Sequence, residues 1–313
     1  MDINYLLFLQ SIREAVGGIF NSFMMQMTVL GEATAAFLLL AAVYWCLDKR
    51  SGQLMALNSA FGLTLNQFLK SLIHVDRPWV RDSRITPVED AMAEAKGYSF
   101  PSGHTHRATA IWGSLGASLW KKKQKAASLI CWIVLVLIGF SRNYLGVHTP
   151  QDVLVALATG IILIFVLDKV LTWADKNKNR DFIVTGIGLL VIILAMVTVG
   201  WISFAGLGFG FLIGWVLERH FINFNTNGTF INKCMRFAIG GAGILYILLV
   251  VKSMLNLVME STYADFITWF LMALFIMFLY PFFFSKKERY KWGIATIILI
   301  LALTLVFSSL CVN

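Results

Sequence analysis

Long apolar stretches recur along the chain, and they constrain its fold more than any other feature. Each is close to the roughly 20 residues that an α-helix needs to cross the hydrocarbon core of a bilayer. Ten such stretches lie at about 28–47, 53–73, 104–120, 126–142, 150–169, 181–200, 201–217, 236–256, 264–284 and 291–311. The sequence therefore predicts an all-α, polytopic transmembrane helical bundle of about ten spans.

Composition points the same way and excludes a soluble protein. Hydrophobic residues make up 58% of the 313 residues and charged residues 14%, which leaves too little polar surface for water. A formal net charge of +9 would suggest nucleic acid for a soluble chain. Here the basic residues fall in short connections between apolar stretches, so we expect a lipid bilayer and no nucleic-acid partner. The four cysteines lack the spacing of a zinc site or a disulfide framework.

The basic connections predict how the bundle is oriented. They lie at 49–50, 121–125, 176–180, 219–236 and 286–291. With ten spans they all fall on one side, which is cytoplasmic by the positive-inside rule. The connections 74–103, 143–149 and 257–263 fall on the other side. Polar motifs in those connections are therefore expected to face away from the cytoplasm.

Three regions can be distinguished along the chain. Residues 1–27 mix apolar and polar side chains and predict an amphipathic helix at the membrane interface. Residues 28–175 form the predicted core, and residues 176–313 add further helices. The added helices contain closely spaced glycines, at Gly206, Gly208, Gly210, Gly214, Gly240, Gly241 and Gly243. Such glycines let helices approach closely in lipid, so we expect them to have a packing role.

Residues 141–152 concentrate polar side chains between two predicted spans. His148 and Asp152 are four residues apart, so Pro150 in the first helical turn would place both on one face. A carboxylate bound to one imidazole nitrogen fixes the tautomer and leaves the other nitrogen free to attack. Arg142 brings a forked positive charge that matches a phosphoryl group. A structural cap would use the same His–Asp pair, so this stretch alone is only suggestive.

Two earlier stretches favour a catalytic pair over a structural cap. Lys70 and Arg77-Pro78 flank the end of one apolar run, and Pro101-Ser102-Gly103-His104 opens the next. Together with residues 141–152 they resemble the signature of the type 2 phosphatidic acid phosphatase (PAP2) superfamily, K-x6-RP, PSGH and SR-x5-H-x3-D. All eleven specified positions are present, in order and with the family's internal spacing.

The resemblance implies a metal-independent phosphatase that needs no cofactor. It implies that His148, oriented by Asp152, attacks phosphorus and forms a phosphohistidine. It also implies that His104 protonates the leaving alcohol and then activates water. The expected phosphate-binding residues are Lys70, Arg77, Ser102, Gly103 and Arg142, with backbone N–H groups of residues 102–104 donating at a helix start.

Other residues in or beside the motifs are weaker candidates. His74, Asp76, Trp79, Tyr98 and Tyr144 could contact substrate, although structural roles are more common for such residues. His106 and Arg107 belong to the same group. Glu32, Lys252 and Asp265 lie at predicted span boundaries, where a place at the membrane surface is the more common reading than a proton or ion path.

The function favoured by these features is hydrolysis of a lipid phosphate or diphosphate at the extracytoplasmic face of a bacterial plasma membrane. Phosphatidic acid, phosphatidylglycerol phosphate and polyprenyl diphosphate are not separated by the motifs. A glucose-6-phosphatase-like enzyme or phosphotransferase acting on a soluble phosphate is an alternative. A lipid transporter or scramblase that uses the additional helices is another, although the later spans carry few buried polar groups. The oligomeric state is left open.

Overall fold

The computed structural model describes residues 2–285, and these residues form helices and connections without a β-strand. The helices, some with a π-helical turn, are α1 Asp2–Ala15, α2 Asn21–Val29, α3 Ala33–Leu47, α4 Lys49–Ile73, α5 Pro78–Arg81, α6 Glu89–Glu94, α7 103–121, α8 Lys125–Tyr144, α9 Pro150–Ala174, α10 Asn179–Val199, α11 205–222, α12 Phe230–Val258 and α13 Ser261–Phe284. The prediction of an all-α chain is confirmed for these residues.

The number of membrane spans is not settled by these helices. Each of the first nine predicted spans coincides with a helix, whereas the tenth, 291–311, lies outside the described residues. Only five described helices (α8, α9, α10, α12 and α13) are both long and apolar enough to cross a bilayer alone. A sixth span results if α2 and α3, which meet at a 53° bend, are counted together. The figure of about ten stays a prediction.

The mean hydropathy of α4 is below that of a span because the helix contains many polar residues. Several of these face other helices. Helix α4 lies at the centre of the bundle and packs against α3, α7, α9, α10 and α11. The buried Asn58 amide donates to the Ser114 hydroxyl at 3.1 Å and to the Gly160 carbonyl at 3.4 Å. These contacts pair the amide N–H groups of Asn58 inside the bundle, so a low hydropathy is compatible with a helix at membrane depth.

The C-terminal helices pack directly on the motif-bearing helices. Trp45 of α3 is fully buried, and its indole N–H donates to the Ile276 carbonyl of α13 at 2.8 Å. Phe211 and Trp215 of α11 are fully buried in the same apolar core. The two predicted regions therefore share one hydrophobic core.

Close approach of α11 and α13 depends on glycine, as the sequence predicts. A Cβ atom added at Gly210 would lie 2.5 Å from the Phe270 carbonyl oxygen and 2.7 Å from the Ala273 Cβ. Real Cβ atoms do not come that close to backbone, so the two helices touch through their main chains at this position.

The N-terminal region forms two helices where one was expected. Gly17 and Gly18 adopt φ values of +60° and +69°, which glycine reaches without strain, and they separate α1 from α2. Exposed Phe8 of α1, Ile19 and Phe20 of the connection and Phe23 of α2 give this region an apolar outer surface. Such a surface is compatible with a membrane interface.

Basic residues gather at the end of the bundle opposite the sequence motifs. Lys49 donates to Glu218 at 2.8 Å, and Arg219 donates to Asp181 at 2.7 Å. Lys70 lies at the other end of α4, roughly 30 Å away at a rise of about 1.5 Å per residue. The two ends are thus separated by about the thickness of a bilayer core.

Replacing Gly210 with alanine is expected to destabilise the bundle because α11 and α13 would have to separate. Overpacking of this kind costs about 1–3 kcal/mol, which should lower the midpoint of thermal unfolding in detergent by several degrees. Gly186→Ala in α10 is the matched control, since nothing lies within 4 Å of its added Cβ. Equal midpoints for the two variants would contradict the close packing at Gly210.

Candidate active site

The connection between α8 and α9 holds His148 in a tightly specified conformation. Gly146, with φ +78°, ends α8 in a Schellman motif: the Val147 N–H donates to the Arg142 carbonyl, and the Gly146 N–H donates to the Asn143 carbonyl. The Asn143 amide then donates to the His148 carbonyl at 2.9 Å. These three hydrogen bonds therefore fix the backbone from Gly146 to His148.

Helix α9 starts with a capping box that contains the predicted Asp152. Thr149 is the N-cap, Pro150 occupies the first turn, and the Thr149 N–H donates to Asp152 Oδ2 at 2.8 Å. Asp152 Oδ2 lies 3.2 Å from His148 Nδ1, and both side chains are 2% exposed. The expected His–Asp pair is therefore present on one face of the helix start.

Ser99 is a member of this site that the sequence analysis missed. Its hydroxyl donates to Asp152 Oδ2 at 2.5 Å and lies 3.4 Å from His148 Nδ1. The Ser99 N–H donates to the Val75 carbonyl at 2.7 Å, which ties the loop after α4 to the loop before α7. A serine two residues before the PSGH motif carries no sequence signal for this role.

Arg77 is anchored by backbone carbonyls and points at the imidazole. Its nitrogens donate to the Lys96, Gly97 and Val147 carbonyls at 2.7–3.1 Å. Arg77 Nη1 also lies 3.0 Å from His148 Nε2. A guanidinium can only donate, so Nε2 accepts and Nδ1 carries the proton that faces Asp152.

Charge and burial determine the protonation state of this pair. Burial lowers the pKa of His148 to about 3; the Asp152 hydrogen bond opposes this shift and the Arg77 charge adds to it. Burial also lowers the pKa of Arg77 to about 10. At neutral pH the imidazole is therefore neutral and the guanidinium is charged.

Lys70 reaches the same site from the last turn of α4. Its Nζ donates to the Tyr98 carbonyl at 2.5 Å and to the Ser99 carbonyl at 3.3 Å. His74 ends α4 in a left-handed conformation, and its ring meets the exposed Tyr98 ring edge-on at 4.6 Å. His74 and Tyr98 thus cover the outer edge of the loop whose carbonyls accept hydrogen bonds from Lys70.

The PSGH motif forms the start of α7, with one correction to the expected donors. The Ser102 hydroxyl caps the helix by accepting from the Thr105 N–H at 3.4 Å, and it also accepts from the Thr105 hydroxyl at 2.9 Å. The Ser102 N–H donates to the Asp152 carbonyl at 3.0 Å, so this N–H is already occupied. The N–H groups of Gly103 and His104 lie in the first turn, where a helix supplies no acceptor of its own. An anion at this helix start could therefore accept from these two N–H groups.

Arg142 is completely buried, and most of its guanidinium has no partner. Nη1 donates to the Thr28 hydroxyl. Nε and Nη2 have no hydrogen-bond partner among the residues that the structure describes. A buried donor left unpaired costs about 1–3 kcal/mol, and more when charged. A phosphoryl group would supply the forked pair of acceptors that these nitrogens lack.

His104 lies beside two carboxylates that come from distant parts of the sequence. Ligand atoms of His104, Glu32 and Glu94 are all within 4.8 Å of one another. Such a group could hold a cation, and sequence spacing gave no sign of it because the residues come from three separate elements. The expectation that no metal is needed stays a prediction.

The remaining candidates lie around the site. Trp79 faces the Arg77 guanidinium at 5.9 Å, and Asp76 is exposed. Tyr144 is buried in a small apolar cluster, and its carbonyl accepts from Arg13 at 3.2 Å. His106 is buried inside the bundle, and Arg107 donates to the Gly31 carbonyl at 2.9 Å.

Comparison with known families shows to which family the chain belongs. The PAP2 superfamily model matches residues 51–178, which contain all three motifs. A second model, the transmembrane extension of PAP2 superfamily phosphatases, matches residues 202–291. The chain belongs to the PAP2 superfamily. It is therefore an integral-membrane phosphatase, and the second match includes most of the additional helices that the three motifs leave unexplained.

Individual relatives are PAP2 phosphatases that act on lipids. Phosphatidylglycerophosphatase B of Bacillus subtilis is 29% identical over 157 residues, which cover 47% of this chain and 73% of that protein. Undecaprenyl-diphosphatase BcrC of B. subtilis is 31% identical over 138 residues, 43% of this chain and 67% of that protein. Lipid phosphate phosphatase delta of Arabidopsis thaliana is 25% identical over 183 residues, 56% and 42% respectively. No solved structure matches the chain significantly.

The depressed pKa of His148 predicts that the fold of this PAP2 protein loses stability in acid. Below pH 6.5 the unfolded chain binds a proton at this imidazole that the folded chain, with a pKa of about 3, does not. Between pH 7 and pH 5 this difference removes about 2 kcal/mol of unfolding free energy. His148→Gln should lose correspondingly less over the same interval, as measured by unfolding in detergent.

His74→Asn is the control for that comparison, because it removes an exposed imidazole at a left-handed position that asparagine tolerates. It should keep the wild-type dependence on pH. If His148→Gln and the wild type lose equal stability, the imidazole does not hold the depressed pKa.

Proposed function

We propose that the protein removes the terminal phosphate from a membrane lipid phosphate or diphosphate, through a phosphohistidine on His148 and without a metal. The observation that carries this proposal is the environment of His148. Its Nδ1 faces Asp152 at 3.2 Å, and its Nε2 faces Arg77 Nη1 at 3.0 Å. The nitrogen that would attack is therefore the one next to a cation that can bind phosphate.

Substrate binding releases the nucleophile in this scheme. Arg77 Nη1 donates to the lone pair of Nε2 in the structure. A phosphate oxygen carries more negative charge than an imidazole nitrogen, so it takes over this N–H and leaves the lone pair facing phosphorus. Lys70, Arg142 and the N–H groups of Gly103 and His104 bind the other oxygens. Catalysis is then mainly positioning and charge stabilisation.

The reaction runs in two steps. The bond from His148 Nε2 to phosphorus forms as the phosphorus–oxygen bond to the leaving group breaks, and His104 gives its proton to that oxygen. Water then attacks the phosphohistidine while His104 accepts a proton, which releases phosphate and restores the imidazole. Asp152 holds the imidazole in one tautomer, and its hydrogen bond to Ser99 fixes the carboxylate in turn.

The charges at the two ends of the bundle support an orientation in the membrane. The basic connections at 49–50, 121–125, 176–180 and 219–236 lie at the end opposite the site, and the positive-inside rule favours a cytoplasmic location for this end. We accordingly propose that the site faces outside the cytoplasm, in a bacterial plasma membrane. An anchored lipid can there present its headgroup while its chains stay in the bilayer.

An apolar groove beside the site supports a lipid over a soluble phosphate. It has a volume of about 580 Å³ and lies between α1, α2 and the end of α8, with a lining that includes Leu9, Phe20, Phe23, Phe140 and Tyr144. We propose that residues 1–27 line a lateral entrance here, outside a core at 28–175 to which 176–313 add further helices. The names of the curated relatives, with lipid phosphates and diphosphates as substrates, favour the same class.

His148→Ala is expected to abolish phosphate release, by roughly 1,000-fold or more, because it removes the nucleophile. Purified protein in detergent and EDTA would be tested on phosphatidic acid, phosphatidylglycerol phosphate, undecaprenyl diphosphate and glucose 6-phosphate. The wild type should also acquire an acid-labile label from ³²P-substrate, and the variant should not. Activity in the variant, or a requirement for metal, would reject the mechanism; a preference for glucose 6-phosphate would reject the lipid.

His104→Ala is expected to show different defects with different leaving groups. With a lipid alcohol the loss should be about 10²–10⁴-fold, since that oxygen needs a proton to leave. With p-nitrophenyl phosphate the first step needs no acid, so one equivalent of nitrophenol should appear quickly before slow turnover of the phosphohistidine. The absence of such a burst, with both substrates slowed equally, would argue against His104 as the general acid.

A further inference from the structure

Two carboxylates border the proposed general acid. Glu32 immediately precedes α3, Glu94 ends α6, and His104 lies in the first turn of α7. Their ligand atoms lie within 4.8 Å of one another. The proposed mechanism uses His104 but gives no role to either glutamate.

A buried cation beside this cluster independently indicates where a ligand lies. Arg142 has no accessible surface, and its Nε and Nη2 atoms have no hydrogen-bond partner among the described residues. Its charge is within electrostatic range of Glu32, Glu94 and His104. An oxyanion bound by the free guanidinium nitrogens would therefore also lie within electrostatic range of the two carboxylates.

We propose that Glu32 and Glu94 make the enzyme selective for phosphate monoesters, whose leaving group is an alcohol, over diphosphates. This inference rests on the function proposed above. It narrows that function to lipids that carry a single terminal phosphate on a hydroxyl-derived oxygen.

In-line displacement places the leaving group on the glutamate side of phosphorus. The attacking nitrogen and the leaving oxygen lie on opposite sides of the transferred group. His148 attacks from the side of Arg77 and Asp152, so the leaving oxygen faces His104, and the rest of the leaving group extends toward the carboxylates. The cations Lys70, Arg77 and Arg142 surround the transferred phosphoryl group instead.

The charge of the leaving group determines how favourable its position beside the two carboxylates is. A monoester loses an oxygen that takes the His104 proton and departs as a neutral alcohol. The leaving group of a diphosphate is instead the lipid monophosphate, which keeps at least one negative charge after it takes the same proton. Like charges held this close repel each other. A hydroxyl on the alcohol could, by contrast, donate to either carboxylate.

Nearby arginines do not remove this asymmetry. Arg107 donates to the Gly31 carbonyl at 2.9 Å, and its charge acts on Glu32 from within α7. The Arg142 charge acts on the phosphoryl group as well as on the two carboxylates. Glu94 is exposed on the short helix α6 and has neither arginine as a hydrogen-bonding partner in the described structure.

Farnesyl phosphate and farnesyl diphosphate provide a matched test, because they share one hydrocarbon chain and differ in the leaving group. Wild-type protein in detergent and EDTA should have a kcat/KM at least tenfold higher for the monophosphate, with phosphate release measured for both. Glu94→Gln and the double variant Glu32→Gln/Glu94→Gln should move the ratio toward the diphosphate by at least tenfold. The ratio is independent of the fraction of active protein.

Glu89→Gln is the control, since it removes an exposed charge from the opposite end of α6 and should leave the ratio unchanged. A ratio that stays within twofold of wild type in both glutamate variants would overturn the inference while leaving the proposed phosphatase intact. A wild type that already prefers the diphosphate would overturn it as well. Failure of the wild type to cleave either compound would reject the lipid phosphatase itself, and this inference with it.

Discussion

The site depends on the hydrogen bonds that the Asp152 carboxylate accepts. One of its oxygens accepts from the Thr149 N–H, the Ser99 hydroxyl and His148 Nδ1, at 2.8, 2.5 and 3.2 Å. These donors belong to the cap of α9, the loop before α7 and the connection after α8. A single buried anion therefore fixes a helix start, a loop and the tautomer of the imidazole at once.

Buried cations are the complementary constraint. Arg77 and Arg142 are 8% and 0% exposed, and taking a guanidinium out of water costs several kcal/mol. Arg77 offsets this cost with three backbone carbonyls and the imidazole. Arg142 does so only in part, through Thr28. The bundle thus keeps donors directed at the space where a phosphoryl group would complete their hydrogen bonds, which is a form of preorganisation.

Charge is distributed unevenly within the site as well as along the bundle. Cations surround the proposed phosphoryl position, carboxylates border the proposed leaving-group side, and the basic connections among the described residues lie at the far end of the helices. The same sign of charge has different roles at the two ends: lysines at the far end pair with acids such as Glu218 and Asp168, whereas Lys70 donates only to backbone carbonyls in the hydrogen bonds found for it.

The sequence by itself determined the features that follow from local spacing. Apolar stretches predicted where helices form, and the four-residue interval with Pro150 predicted that His148 and Asp152 face each other, because helix geometry fixes both. It also identified Lys70, Arg77, His104 and Arg142 through a family signature. Tertiary structure decided which groups meet across long intervals. Ser99 with Asp152, Thr28 with Arg142, and Glu32 with Glu94 and His104 come together only because helices pack in one particular arrangement, and no local periodicity encodes that arrangement.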